Sequence, residues 1–262
     1  MKIVAYGSED ERLIKFIFSY LKKNKCKNLN IKNLKCIKVD DEKCGKGVNA
    51  RYCHGTIYID KKENKEILEK NNIHAMENNS SELLKNDDIK ILMNDLLHEL
   101  FHCDAEIKMP MLHNMVYDEK CDFWKRITAH FWIESYVGYC SSQKQYHLEE
   151  QYRNDIKLLH QIVEVKWNIT NLYRNENNLN NMSHLEYIAS YFVPLILSYD
   201  LETEYLPKIG DDNIRKLFEK LIMEVKYLLE VGVVVEEYNK IERLEMFFKE
   251  YYNKIFLYKY YN

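Results

Sequence analysis

Glycine and proline are nearly missing: 7 Gly and 3 Pro stand among 262 residues, where average usage would supply roughly 30. Tight hairpin turns draw on Gly or Asn for positive φ. The composition therefore argues against a sandwich, barrel or propeller and for a mostly helical chain. Long apolar runs are lacking too. The stretch Ile3-Val4-Ala5-Tyr6 is too short for a signal-peptide core, and no run approaches the 18 or so residues of a membrane span. Nor is there an excess of one charge. With 38 basic and 41 acidic side chains the net charge is -3, so nothing calls for a nucleic-acid partner. The 7 cysteines form an odd set without a C-x-x-C pair, which suits reduced thiols. These absences lead us to expect a soluble cytoplasmic protein with no membrane and no nucleic-acid partner.

What is present is a mixed first third and a helical remainder. Apolar spacing predicts a strand over 2–6, a helix over 9–23, and strands over 34–39 and 52–60, the last alternating without a break. Helices are expected at 87–108, 118–141, 146–174, 183–200, 213–231 and 234–258, with a loop over 175–181. The expected fold class is α+β and predominantly helical: a small sheet and one central helix, followed by a helical C-terminal region. We place the domains at 1–145 and 146–262. The C-terminal helices are read as a bundle capping the first domain, or as a surface for a protein partner.

One motif carries chemistry. His98-Glu99-Leu100-Phe101-His102 is an H-E-x-x-H inside the helix expected at 87–108. Two His four residues apart project from one helical face and can bind one metal ion, while the intervening Glu is offset and reaches a water instead. With 9 His in the chain, chance supplies about 0.03 such motifs. The helix is also apolar nearly all round, with Leu92, Met93, Leu96, Leu97 and Leu100 opposite the His face. Two histidines on a buried helix are costly unless partnered. We therefore expect one Zn²⁺, with Glu99 as general base. A catalytic zinc keeps three protein ligands and an open position. The third ligand must come from another element, because three collinear side chains of one helix cannot surround a tetrahedral ion. Glu134 lies in the middle of the apolar stripe Phe123, Ile127, His130, Phe131, Val137 and Gly138 on the next helix. A buried carboxylate there needs a partner. His130, Asp122, Glu119 and a plain ion pair remain rivals for that role. Gly138 is expected to let the two helices approach closely.

On these residues the sequence resembles the gluzincin type of zinc metallopeptidase, and most of all the ImmA/IrrE group of small cytoplasmic peptidases of prophages, mobile elements and stress responses. The resemblance covers about residues 45–141. It implies that His98 and His102 are the histidine ligands, Glu99 the catalytic base and Glu134 the third ligand. It also implies that Gly55, Thr56 and Tyr58 lie on a sheet-edge strand pairing with an extended substrate backbone, and that the substrate is a cytoplasmic protein such as a repressor or antitoxin. Phe101 departs from the Gly that many members carry there, and no DNA-binding helix pair is evident. A donor for the tetrahedral oxyanion is sought among Tyr136, Tyr139, His113 and His147, with Tyr136 named first.

Two other classes stay open. One is a catalytically inactive zincin-like binding module. The other is a HEPN-type ribonuclease, on the resemblance of Arg153 and His160 to that family's Arg/His signature. About 0.13 matches to that pattern are expected by chance when a polar residue must follow the Arg, several times more than for the zinc motif. Cys44, Cys53 and His54 fit no standard zinc module.

Overall fold

The computed structural model describes residues 2–5, 8–40, 50–60, 85–143, 149–164, 178–231 and 238–254. The fold is α+β and predominantly helical. The chain divides into two compact units, Met1–Ile107 with Lys144–Tyr152 and Lys108–Gln143 with Arg153–Asn262. That division falls elsewhere than the expected boundary at 145, because the helix carrying Glu134 clusters with the helices that follow it. Among the described residues no helix is long and apolar enough to cross a membrane.

The first unit holds β1 (Lys2–Val4), α1 (Ser8–Asn24), β2 (Cys36–Asp40), β3 (Ala50–Cys53), β4 (Thr56–Asp60) and most of α2 (Asp87–Lys108). The strands form one mixed sheet in the order β1-β2-β4-β3. β1 and β4 each run parallel to β2, and β3 runs antiparallel to β4. Alternation in β2 and β4 buries Ile37, Val39, Ile57 and Ile59, and α1 buries Leu13, Ile14, Ile17 and Leu21, one stripe at helical spacing.

The unbroken strand expected over 52–60 is instead a hairpin. His54 (φ 44) and Gly55 (φ 82) are its two turn residues, which is the type I′ pattern matching the twist of the flanking strands. Cys53 then pairs with Thr56 and Tyr52 with Ile57. A His in the first turn position hid this turn from sequence reading. The turn also corrects the expectation for Gly55, Thr56 and Tyr58. β4 is bonded on one side to β2 and on the other to β3, so Thr56 and Tyr58 lie inside the sheet, and Gly55 lies in the turn that leads into it. The outermost strand on that side, among the described residues, is β3. Gly55 has a structural reason to be Gly: besides its positive φ, a Cβ there would stand 2.6 Å from the Asn33 carbonyl oxygen.

Helix α2 spans the expected 87–108 and is buried nearly all round, through Ile89, Leu92, Met93, Leu96, Leu97, Leu100, Phe101, Cys103 and Ala105. Pro110 follows its end and opens α3 (Pro110–Tyr117). A single proline serves both purposes, since it lacks the N–H a helix interior needs and suits a helix's first turn.

In the second unit the helix expected at 118–141 starts later, as α4 (Phe123–Ser141), because Asp122 caps it by accepting from the backbone N–H groups of Trp124 (3.0 Å) and Lys125 (3.2 Å). α5 (Glu149–Glu164) lies within the helix expected at 146–174. α6 (Asn178–Tyr199) begins inside the expected Asn-rich loop. A short α7 (Glu202–Tyr205), α8 (Asp212–Glu230) and α9 (Glu242–Tyr252) follow. α4 packs on α3, α6, α8 and α9 through Ile127, Phe131, Trp132 and Val137. Phe131 meets Phe248 edge to face, with centroids 5.3 Å apart. Gly138 also serves a different partner from the one expected. Its missing Cβ would lie 3.0 Å from Cγ of Pro194, so the close approach it permits is to α6.

Candidate metal centre

His98 and His102 stand one turn apart on α2 with ring centroids 4.9 Å apart and planes inclined at 73°. Their Nε2 atoms are 3.2 Å from each other. Two nitrogens bound to one tetrahedral zinc at ~2.0–2.1 Å lie roughly 3.3 Å apart. The two rings therefore fit a single zinc ion at their facing nitrogens.

Glu99 is offset from the pair, as a general base requires, and its side chain is fixed. It is buried, and Oε2 accepts a 2.5 Å hydrogen bond from the backbone N–H of Tyr52 in β3. The Tyr52 hydroxyl donates to Glu106 and accepts from the Gly55 N–H at 2.9 Å. Burial first, and then the Glu106 carboxylate, push the Tyr52 phenol well above its ordinary range, so it stays protonated and keeps its donor. His54 Nδ1 lies 3.7 Å from the other Glu106 oxygen. Glu99, Cys103 and Glu106 share one face of α2 and meet β3 through Tyr52. Their i, i+4, i+7 spacing is the signal that could have assigned Glu106 to this network.

Asp104 is fully buried. Its Oδ1 accepts from the Asn30 backbone N–H at 2.8 Å, tying α2 to the segment after α1. Cys103 is buried as well, and burial raises its thiol to about 11. This fits a packing role rather than reactivity.

Glu134 belongs to the second unit, on α4. Its carboxylate lies 3.8 Å from His130 Nε2, one turn back along the helix. His130 is engaged on its other side, where Nδ1 lies 2.8 Å from Glu186 Oε1. Of the other rivals, Asp122 is spent on capping α4, and Glu119 is exposed in the connection between α3 and α4. The Tyr136 hydroxyl accepts from Lys108 Nζ at 3.1 Å. His113 is buried, with its ring 5.1 Å from that of Tyr117. Tyr139 is half-buried, and His147 and Cys44 lie outside the described residues.

Arg153 and His160 both fall on α5, where Arg153 is exposed and His160 Nε2 is 3.2 Å from the Tyr205 hydroxyl. Compared with protein-family models, with curated proteins and with solved structures, the chain matches none.

Proposed function

We propose that this protein is a zinc-dependent metallopeptidase of the gluzincin type, similar to the ImmA/IrrE group, cleaving a protein or peptide substrate in the cytoplasm. The observation that carries the proposal is the facing pair of imidazole nitrogens, 3.2 Å apart on a buried helix, with a buried carboxylate anchored between them in sequence. His98, His102 and Glu134 would hold the zinc. When bound, it supplies Lewis acidity and a water acidified toward neutral pH.

The chain's own residues do the rest. Glu99 takes the proton from the attacking water and delivers it to the leaving amine, which turns one carboxylate into base and then acid. The Tyr52 N–H donates to that carboxylate and fixes its rotamer. Among the described residues β3 is the outer strand beside it, and an extended substrate would add to β3 away from Tyr52, whose N–H is already given to Glu99, in the manner of strand addition. Tyr136, held by Lys108, is the donor we assign to the developing oxyanion.

The test compares N-terminal peptides from cells expressing wild type and Glu99→Gln, with metal content measured on both purified proteins. New N-termini seen only with wild type, alongside stoichiometric zinc in both, support the proposal. A wild-type protein without zinc would overturn it. Zinc without any cleavage would favour the inactive binding module.

A further inference from the structure

The stripe of α4 that carries Glu134 also carries His130, and α6 sends a second carboxylate to the same imidazole. Glu186 is 3 % exposed, deep enough that burial raises its pKa, while the adjacent imidazole pulls it back down. A carboxylate so placed is costly without a partner. Its partner is His130, whose Nδ1 is 2.8 Å from Glu186 Oε1. With Nδ1 taken, the ring has one orientation, and in it Nε2 faces Glu134 Oε1 at 3.8 Å. The order is therefore carboxylate, imidazole, carboxylate, running from the core of the second unit outward to the proposed third ligand. A carboxylate behind a histidine is the usual means of fixing a metal-bound imidazole. Here the imidazole stands one step further back and faces a carboxylate.

We infer that His130 and Glu186 are positioning residues for Glu134: Glu186 locks the His130 ring, and the ring holds the Glu134 carboxylate in the rotamer from which it binds metal. This rests on the zinc reading above.

The full-length chain is titrated with Zn²⁺ against a competing chelator and, separately, loaded with Co²⁺ for its visible absorption spectrum. The proteins are wild type, His98→Ala, Glu134→Ala, His130→Ala, His130→Gln and the near-isosteric Glu186→Gln. Glu186→Gln and His130→Ala should each weaken Zn²⁺ about tenfold to a hundredfold and shift the Co²⁺ bands. His130→Gln, whose side-chain amide can offer an N–H toward Glu134, should recover part of the affinity. If both variants only lower the unfolding temperature, and affinity and spectrum stay as in wild type, the positioning role is overturned and the zinc reading stands. If His130→Ala abolishes binding as fully as His98→Ala while Glu134→Ala does not, His130 is itself the ligand and the inference is overturned. A wild type that binds no Zn²⁺ overturns the zinc reading along with it. Should His130→Ala fail to fold, Glu186→Gln decides the matter alone.

Discussion

At the scale of single residues, Glu99 is held in place by a chain of hydrogen bonds. Its carboxylate is buried and held at 2.5 Å by the Tyr52 N–H, and Tyr52 is anchored in turn by Glu106 and the Gly55 N–H. Glu99→Gln should keep zinc and lose about 10²–10⁴-fold in peptide hydrolysis, the range for a lost general base, as read by metal analysis beside a peptide-cleavage assay. His98→Ala should lose the zinc itself, and dialysis followed by metal analysis checks it. Thiols give a prediction independent of catalysis. Burial raises Cys26 to about 12 and Cys103 to about 11, from an ordinary 9.0. Between pH 9 and 11 the unfolded chain therefore releases protons that the folded chain keeps. This stabilisation is complete below about pH 9 and is lost as pH rises through the folded values. The urea midpoint should be lower at pH 10 than at pH 8, and Cys26→Ala should flatten part of the difference.

At the scale of elements, the hairpin β3–β4 and the pair α4–α6 each turn on one glycine. Gly55→Ala puts a Cβ against the Asn33 carbonyl oxygen at a positive φ, which should cost at least about 2 kcal/mol, measured by urea unfolding. Gly138→Val drives branched methyls into Pro194 and should cost ~1–3 kcal/mol as overpacking, despite removing a helix glycine. These elements also mark how far sequence patterns reach. α2 was legible to the residue because apolar side chains run along most of it, Asn86 caps its start and Pro110 follows its end. The split between α3 and α4 was not, since amphipathic spacing runs across the break and only the capping bonds of Asp122 reveal it. The single strand read over 52–60 failed for a similar reason: a two-residue turn preserves the alternation on both sides, and His54 is an uncommon residue for positive φ.

At the scale of the whole molecule, α4 is assigned by its packing to the helices that follow it rather than to the sheet before it. A fragment ending at residue 145 should therefore leave Phe131 without Phe248 and Trp124 without Tyr252. We expect it to lose the near-ultraviolet circular dichroism of Trp124 and Trp132, whereas the full chain keeps it. What the sequence by itself determined was the helical class, through the scarcity of Gly and Pro, and the pairing of His98 with His102 and Glu99, because one helix fixes all three by its own 3.6-residue period. What only the tertiary structure decided was whatever joins separate elements: β3 rather than β4 as the outer strand among the described residues, Tyr52 and Glu106 behind Glu99, and Glu186 behind His130. Those partners lie 47, 54 and 56 residues apart along the chain. No local periodicity links such distances, and only the packing of one element on another brings a buried polar group to the donor or acceptor it requires.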